Sequence, residues 1–353
     1  MMSEDLPAKP ARRPRYAGKY PRHFHEKYKE LAPEAYSETV AKVLESGKTP
    51  AGSHRSIMVA EILDVLAPKP GELAVDCTLG YGGHASELLK AVLPGGRLIG
   101  IDTDALELPK TEARLRELGY PPDSLSVQRM NYAGLAQLLA REAPGGADLI
   151  LADLGLSSMQ IDDPSRGFTF KEEGPLDMRM NPAKGISAAD LLAKLTAPRL
   201  ADLLKENSDE PDANRLARAI IQAGEKTPLA TTRQLADVIA RTVLGGTGMK
   251  GETAKATDTI RRVFQALRIA VNDEFGALDT FLRQLPGCLK AGGRIAILTF
   301  HSGEDRRVKL AFKEGLREGL YSEISQEIRR PSLEEQRANP RSTSAKLRYA
   351  IRA

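Results

Sequence analysis

Short apolar runs alternate with stretches of helical spacing along the first half of the chain. Four runs bounded by turn residues predict strands, over 72–76, 97–102, 125–130 and 147–152. Apolar residues three and four positions apart predict helices over 56–66, 85–92, 106–118 and 135–142. Strands that alternate with helices form a parallel sheet, so we predict an α/β fold.

The alternation stops after the fourth strand and gives way to polar loops and short amphipathic helices. We predict helices over 188–195, 197–205, 214–223 and 232–243. The core then resumes with a long helix over 257–285, a strand over 294–300, a helix over 307–318 and an edge strand over 346–352. The chain therefore divides into an arm (1–50), a core in two parts (51–156 and 257–353) and a helical insertion (157–256). An insertion at this point is suited to recognising a substrate.

A glycine-rich turn joins the first strand to the next helix in the stretch LAVDCTLGYGGHASELLK. Glycine lets the backbone approach a ligand closely, and the helix N-terminus beyond it offers free N–H groups. Asp102 ends the second strand at the spacing from which a carboxylate can accept hydrogen bonds from a ribose diol. This pattern fits NAD or S-adenosylmethionine. The turn reads G-Y-G-G-H, so the G-x-G-x-x-G pattern that binds the pyrophosphate of NAD is incomplete. This favours S-adenosylmethionine, which has no pyrophosphate.

Polar side chains follow the carboxyl ends of the predicted strands, where ligands bind in such sheets. We expect Asp76, Gly80, Asp102, Tyr132 and Asp153 to converge on one cleft. Asp153 opens the motif DLGLSS, and an acceptor at this place can hold the N–H groups of an exocyclic base amine. The methyl group of S-adenosylmethionine is already activated, so its transfer to such an amine mainly requires that the nitrogen and the methyl carbon be placed in line. Asp153 is therefore our candidate catalytic residue. The alternative is that Asp153 only caps a turn.

Composition changes this picture mainly at the N-terminus. The 353 residues are 41% hydrophobic and 28% charged, and the net charge of +4 alone does not indicate a nucleic-acid partner. Residues 9–29, however, hold eight Lys or Arg against one acidic residue, interleaved with aromatic side chains. We predict a disordered arm that could lie on a phosphate backbone, with a solubilising tail as the alternative. No signal peptide or membrane-spanning run is evident, so we expect a cytoplasmic protein.

The remaining reactive residue types narrow the chemistry further. Cys77 and Cys288 do not follow the fourth strand, so covalent catalysis on cytosine C5 is not expected, and both should be packing residues. The histidines show no metal-ligand spacing, so we expect no metal. His84 could contact the cofactor or only order the helix start. Five arginines are candidates for RNA phosphate contacts, with a solvated or ion-paired surface charge as the alternative for each: Arg166, Arg179, Arg261, Arg262 and Arg268.

Several long segments together resemble the bacterial RsmH (MraW) family, the 16S rRNA (cytosine-1402-N4)-methyltransferases. The segments are VDCTLGYGGHA, LIGIDTDA, LILADLGLSSMQIDDPSRGFTF, GPLDMRMN, FQALRIAVNDE, GGRIAILTFHSGEDRRVK and NPRSTSAKLR. The resemblance covers most of the chain from His54 and implies a Rossmann-like class I methyltransferase core with an inserted helical domain. It also implies S-adenosyl-L-methionine as cofactor and 16S rRNA as partner, within an assembled or late-assembling 30S subunit, with a homodimer as a further option.

The resemblance also implies site residues. Its cofactor contacts are Gly82, Gly83, His84, Asp102, Tyr132, Asp153 and Gln160. Its substrate contacts are Ser157, Ser158, Asp177, Arg179, His301, Ser302, Glu304, Asp305 and Arg306. This chain departs from the family in having Tyr132 where Phe is usual and Gly303 where Leu is usual. Two alternatives remain open: an NAD-dependent oxidoreductase on the same core, and a non-catalytic RNA-binding assembly factor.

Overall fold

A seven-stranded mixed sheet is the centre of the protein. The computed structural model describes residues 56–245 and 252–353, and the predicted arm over 1–50 lies outside them. The strands are β1 (Leu73–Asp76), β2 (Arg97–Asp102), β3 (Leu125–Arg129), β4 (Ala147–Asp153), β5 (Leu289–Thr299), β6 (Tyr321–Ile324) and β7 (Lys346–Arg352). Their order in the sheet is β3-β2-β1-β4-β5-β7-β6. The first five are parallel, and β7 runs antiparallel to both β5 and β6.

The strand order confirms the Rossmann-like α/β core. The order reverses between β1 and β4, and in open sheets of this kind a ligand binds at the carboxyl ends of the strands at that reversal. The first strands are buried along their whole apolar length, as expected for parallel strands covered on both faces. The functional residues of the chain are therefore expected above the tips of β1, β2 and β4.

Helices cover both faces of the sheet and form a three-layer core. On one face lie α1 (Val59–Leu66), α2 (Gly83–Val92) and α3 (Leu108–Glu117). On the other lie α4 (Leu135–Glu142), α11 (Glu274–Cys288) and α12 (Ser302–Arg317). Alternate residues of one strand, such as Ala74 and Val75, enter the two apolar layers in turn, because successive strand side chains point to opposite faces.

The segment between β4 and β5 forms a third apolar cluster of helices. The helices are α5 (Ser158–Asp162), α6 (Ala188–Lys194), α7 (Ala197–Ser208), α8 (Ala213–Lys226), α9 (Thr232–Leu244) and α10 (Glu252–Asn272), of which α6 to α10 supply the cluster. Val263 and Leu267 of α10 are fully buried in it. Helix α10 thus packs with the inserted helices, and the predicted boundary at 256 falls within it.

The second half of the core differs from prediction at three places. The predicted helix over 257–285 is two helices, because Asp273 adopts a left-handed conformation with φ of 50° between them. Helix α12 begins at Ser302, five residues before the predicted start. Strand β7 is not at the edge of the sheet, since the short strand β6 pairs with its outer side.

The C-terminal region also contains α13 (Leu333–Ala338), which hydrophobic periodicity did not predict. This helix is six residues long with mostly exposed side chains, so it carries no apolar stripe. Through Glu335 it is fastened to the start of the described chain, because the Met58 N–H donates to Glu335 Oε1 at 2.8 Å. None of the described helices is long and apolar enough to cross a membrane.

Candidate active site

The turn after β1 is fastened to the end of β2. The Leu79 N–H donates to the carbonyl of Ile101, and the Gly80 N–H donates to Asp102 Oδ2 at 2.7 Å. Gly82 has φ of +82°, and a Cβ there would lie 3.0 Å from Thr111 Cγ2. Glycine is therefore required at position 82 by backbone conformation and by the packing of α3. Helix α2 begins at the next residue, so its free N–H groups face the same region.

Asp102 connects the glycine turn with the loop that follows β2. Its Oδ1 accepts the N–H of Asp104 at 2.8 Å, while Oδ2 accepts the Gly80 N–H. Burial raises the pKa of Asp102, although these backbone donors partly offset that effect. Each carboxylate oxygen has a second lone pair, so the group can still accept hydrogen bonds from a diol. The predicted ribose contact is chemically available but stays a prediction.

A cleft with about 250 Å³ of empty volume lies beside Asp102. Its lining comes from the glycine turn, the loop after β2 and helix α5: Gly80, Tyr81, Asp102, Asp104, Glu107, Ser157, Met159 and Gln160. Sequence reasoning missed Asp104, although the motif IDTDA places a second acid two residues after Asp102. The structure thus brings together predicted residues from three separate segments, with Asp104 between them.

Asp104 is almost fully buried and organises this cleft. Its Oδ1 accepts the N–H of Leu106 at 2.9 Å, and its Oδ2 accepts from Gln160 Nε2 at 2.7 Å and Arg166 Nη1 at 2.8 Å. Burial would raise the pKa of Asp104, but the bonds from Gln160 and Arg166 outweigh it and lower the pKa. The Asp104 carboxylate is therefore ionised, and its bonds to Gln160 and Arg166 connect the core to the start of the insertion.

Two arginines predicted to contact RNA phosphates are instead engaged inside the protein. Arg166 is 7% exposed and bonds to Asp104 and to the carbonyl of Met180 at 2.8 Å. Arg268 forms two bonds with the carboxylate of Glu274, at 2.8 and 2.9 Å. In this conformation neither side chain is free for an RNA phosphate, because each faces a carboxylate that the sequence alone does not reveal.

Asp76 and His84, which are buried, and Asp153, which is half-buried, lie together at the tips of β1 and β4. His84 Nε2 lies 3.5 Å from Asp153 Oδ2, and the Asp153 N–H donates to Thr78 Oγ1 at 2.7 Å. Burial lowers the pKa of His84, but the bond and charge of Asp153, together with the charge of Asp76, outweigh it and raise the pKa. Desolvation raises the pKa of Asp76 to about 6. Asp153 Oδ1 is buried and has no hydrogen-bond partner.

Tyr132 lies on the opposite side of the sheet from the glycine helix. Its ring packs edge-on against Phe281 of α11, with centroids 5.2 Å apart and an interplanar angle of 67°. Burial and the nearby charge of Glu274 raise the pKa of Tyr132, so the phenol stays neutral. Tyr132 does not line the cleft beside Asp102, and neither do Asp76 and Asp153, although the sequence predicted that all of them would reach one cleft.

The predicted residues at the start of the insertion hold local structure. Ser157 caps α5, since its Oγ accepts the Gln160 N–H at 3.2 Å and its own N–H donates to Gln160 Oε1 at 3.0 Å. Ser158 is the first residue of α5. With its amide engaged by Ser157 and Asp104, Gln160 lines the cleft but has both polar atoms bonded within the protein.

Hydrogen bonds join the loop 177–181 to the end of α10. Arg179 donates to both carboxylate oxygens of Asp177, at 2.8 and 2.7 Å. Asn272 accepts the Met180 N–H at 2.7 Å and donates to the carbonyl of Met178 at 2.8 Å. Both charged side chains are about a quarter exposed, 24% for Asp177 and 23% for Arg179. They can therefore reach a substrate only as a pair.

The segment after β5 is the first turn of α12 and not a loop. His301 caps the helix, and Glu304 is 4% exposed with its Oε2 accepting the Phe300 N–H at 2.8 Å. Asp305 accepts from Arg348 Nε at 2.7 Å. In this conformation neither carboxylate is available to a nucleotide, whereas Ser302 and Arg306 are exposed.

Gly303 has a packing reason for its departure from the family. A Cβ at this position would lie 2.6 Å from Phe275 Cζ. The ring of Phe275 is buried and stacks under the guanidinium of Arg307, whose Cζ is 3.6 Å from the ring centroid. Phe275 thus occupies the space that a larger side chain at 303 would need.

The two cysteines pack in the core, as predicted. Burial raises the pKa of the Cys77 thiol, and it raises the pKa of Cys288 to about 11. Neither is therefore a ready thiolate. Among the described residues, no three His, Cys, Asp or Glu side chains are grouped so as to hold a metal ion.

The sheet is that of a Rossmann-like α/β core, and the chain's match to a methylase family makes it a methyltransferase whose methyl donor is S-adenosylmethionine. Residues 51–353 match the profile of the MraW methylase family, and the chain belongs to that family. It is 50% identical to Ribosomal RNA small subunit methyltransferase H 2 of Alkaliphilus metalliredigens, over 97% of each chain. It is 48% identical to Ribosomal RNA small subunit methyltransferase H 1 of Lachnoclostridium phytofermentans, over 97% of this chain and 93% of the relative. A relative from Deinococcus deserti is 44% identical over 85% of this chain and 93% of its own length.

Proposed function

We propose that this protein methylates N4 of a cytidine in 16S rRNA, the cytidine at position 1402 in the family's description. The names of its relatives support a small-subunit ribosomal RNA substrate. The structural observation that carries the proposal is the buried, unpartnered Oδ1 of Asp153 at the tip of β4. A buried acceptor without a donor is unusual in a folded protein, and an exocyclic amine supplies the missing N–H.

The residues at the strand tips fit the methyl donor. Asp102 can accept from a ribose diol, and the turn at Gly82 and Gly83 opens α2 with free N–H groups. His84 lies at the start of α2 beside these glycines, with its Nε2 buried and 3.5 Å from Asp153 Oδ2. We therefore propose the cofactor contacts implied by the family, Gly82, Gly83, His84, Asp102, Tyr132, Asp153 and Gln160. Bound there, the donor supplies a methyl group already activated by its sulfonium.

The contribution of the protein is placement and proton acceptance. The lone pair of the cytosine amine is delocalised into the ring, so the nitrogen must be turned toward the methyl carbon. Asp153 Oδ1 accepts one amine N–H and fixes that orientation, which is the kind of positioning that lowers a transfer barrier. As the new N–C bond forms and the C–S bond breaks, the surplus proton of the amine passes to this oxygen.

His84 fixes the carboxylate that does this. Its Nε2 lies on the Oδ2 side of Asp153, at 3.5 Å, which leaves Oδ1 for the amine. Thr78, in the turn after β1, holds the backbone of Asp153, since its Oγ1 accepts the Asp153 N–H. Asp153 is thus oriented from two sides, and no strong base is required because the methyl group is already activated.

The inserted helices are proposed to recognise the RNA. Ser157 lines the cleft and Ser158 follows it in α5, the loop 177–181 is joined to the cleft through Arg166, and Ser302 and Arg306 are exposed at the start of α12. We propose that these groups contact the target nucleotide within an assembled or late-assembling 30S subunit. A homodimer stays a prediction. A non-catalytic assembly factor with the same pocket is the competing function, and it differs in leaving the RNA unmethylated.

Transfer to 30S subunits from a strain that lacks the modification tests the proposal. Wild-type protein with isotope-labelled S-adenosylmethionine should place one labelled methyl on a cytidine N4, located by nuclease digestion and mass spectrometry. Asp153→Asn should lower the rate by at least 10²-fold. The matched control is Asp148→Asn, on the same strand but at its far end, where the carboxylate pairs with Lys290 at 2.7 Å. Label at another atom, or none with a folded protein, would contradict the proposal.

A further inference from the structure

The buried ion pair between Asp104 and Arg166 joins the cofactor cleft to the substrate loop. On one side, at the cleft, the Asp104 carboxylate accepts from Gln160 Nε2, and the Asp104 N–H donates to Asp102 Oδ1. On the other side, Arg166 Nη2 donates to the carbonyls of Met180 at 2.8 Å and Arg179 at 3.4 Å. One charge pair therefore connects two elements that are far apart in sequence.

We infer that Asp104 and Arg166 are positioning residues that make binding of the methyl donor and of the RNA strengthen each other. The inference rests on the proposed function, since it takes the cleft beside Asp102 as the donor site and the loop 177–181 as an RNA contact. A donor that fixes Asp102 and Gln160 also fixes Asp104, and through Arg166 it fixes the loop. When the RNA binds second, the loop is already ordered, so less conformational entropy is lost. This makes binding of the two ligands positively coupled.

The surroundings of the pair allow it to have two arrangements. The Nε–H of Arg166 is buried and has no acceptor, so the guanidinium does not use all its donors in this conformation. The Phe168 ring lies beside the guanidinium, with its centroid 5.8 Å from Cζ. Arginine has five N–H groups in one plane. A small rotation of the Arg166 guanidinium would therefore let a different N–H donate to Asp104 without breaking the contact.

Coupling between two ligands is reciprocal, so it can be measured from either side. The experiment is equilibrium dialysis of tritiated S-adenosylhomocysteine against the full chain, with and without saturating 30S subunits that lack the methyl group. For the wild type we expect the subunits to tighten binding by roughly 5–150-fold, the usual range of such coupling. Asp104→Asn and Arg166→Met should each reduce this factor to below about 2-fold.

A double variant distinguishes a positioning role of Asp104 and Arg166 from a role in folding stability alone. Removing one partner leaves a buried charge without its counterpart, whereas removing both charges is often close to neutral for folding. The double Asp104→Asn, Arg166→Met variant should therefore recover a melting temperature near that of the wild type and still lack coupling. Recovery of the coupling together with the melting temperature would overturn the inference, because stability alone would then explain the single variants.

A second buried pair provides the matched control. Arg262 Nε lies 2.6 Å from Glu210 Oε2 within the inserted helices, and Glu210 is 1% exposed in its side chain. Glu210→Gln should lower the melting temperature and keep the coupling, and loss of coupling there would overturn the inference. If the wild type binds the product but the 30S subunits leave its affinity unchanged, the inference fails alone. Absence of product binding and of methyl transfer by the wild type would instead refute the proposed function.

Discussion

Gly83 offers a sharp test of why the turn after β1 contains glycine. A Cβ at this position would lie 2.0 Å from Ser56 Oγ and 3.3 Å from Ser56 Cβ. Rotation of the hydroxyl would remove the first contact but not the second, and the chain near Ser56 is held by the bond from the Met58 N–H to Glu335. Overpacking of this kind costs about 1–3 kcal/mol. Gly83→Ala should therefore lower the melting temperature by roughly 1–4 °C in a chain of this length.

The same substitution should have the opposite sign once Ser56 is made smaller. Gly83 is the first residue of α2, and alanine in a helix is favoured over glycine by roughly 0.5–1 kcal/mol. In a Ser56→Gly background the obstructing atoms are gone, so Gly83→Ala should raise the unfolding free energy by that amount. A thermal or urea unfolding cycle of the four proteins measures both signs.

The cycle also tests the proposed cofactor role of Gly83. If only Ser56 excludes a side chain, the stable double variant should bind S-adenosylhomocysteine within a few-fold of the Ser56→Gly protein. A stable double variant that has lost the ligand would mean that the cofactor itself fills the space at position 83. If Gly83→Ala destabilises the protein equally in both backgrounds, the packing argument is refuted.

Three further predictions concern buried ionisable groups. Because burial raises the pKa of Asp76 from 3.8 to about 6, its contribution to folding is full at low pH and is lost as pH rises through 6. In urea titrations, the free energy of unfolding should fall between pH 4 and 7 by about 3 kcal/mol less in Asp76→Asn than in the wild type. Parallel pH profiles of the two proteins would show that Asp76 does not have a raised pKa. Cys77 and Cys288 should resist iodoacetamide in the native protein and react after unfolding, since burial raises both pKa values; rapid native labelling would contradict their packing. Arg268→Met should destabilise by about 3–5 kcal/mol and should recover most of it with Glu274→Gln, whereas additive losses would show that the two do not interact.

The regular part of the fold could be predicted because its signals are local. Strands β1, β2 and β4 and helix α4 occupy the predicted residues to within one position, since each is a strongly apolar run or a clear helical stripe. Short or exposed elements such as β6 and α13 carry no such pattern. The break at Asp273 was visible only as an Asn-Asp pair, which tolerates a left-handed turn but does not require one.

The sequence could indicate candidate site residues but not the groups that they contact. Asp102 and Asp153 were chosen because ligands bind at the ends of parallel strands, and the structure places both at such ends. Asp104 was missed because its role depends on Gln160 and Arg166, more than fifty residues further along the chain, and no local pattern reports such a contact. For the same reason the sequence predicted that Glu304 faces a nucleotide, whereas its carboxylate holds the amide of Phe300.

The charges at the strand tips favour a cationic ligand over a neutral one. Asp76, Asp102 and Asp153 lie close enough for the charges of the other two to raise the pKa of Asp76, and His84 is the basic side chain among them. Asp104 does not add to this imbalance, because Arg166 neutralises it. In a buried site of low dielectric an excess of carboxylates stabilises positive charge strongly. A sulfonium donor carries that charge and its demethylated product does not, so the site loses attraction for its ligand at the moment of transfer, which assists release of the product.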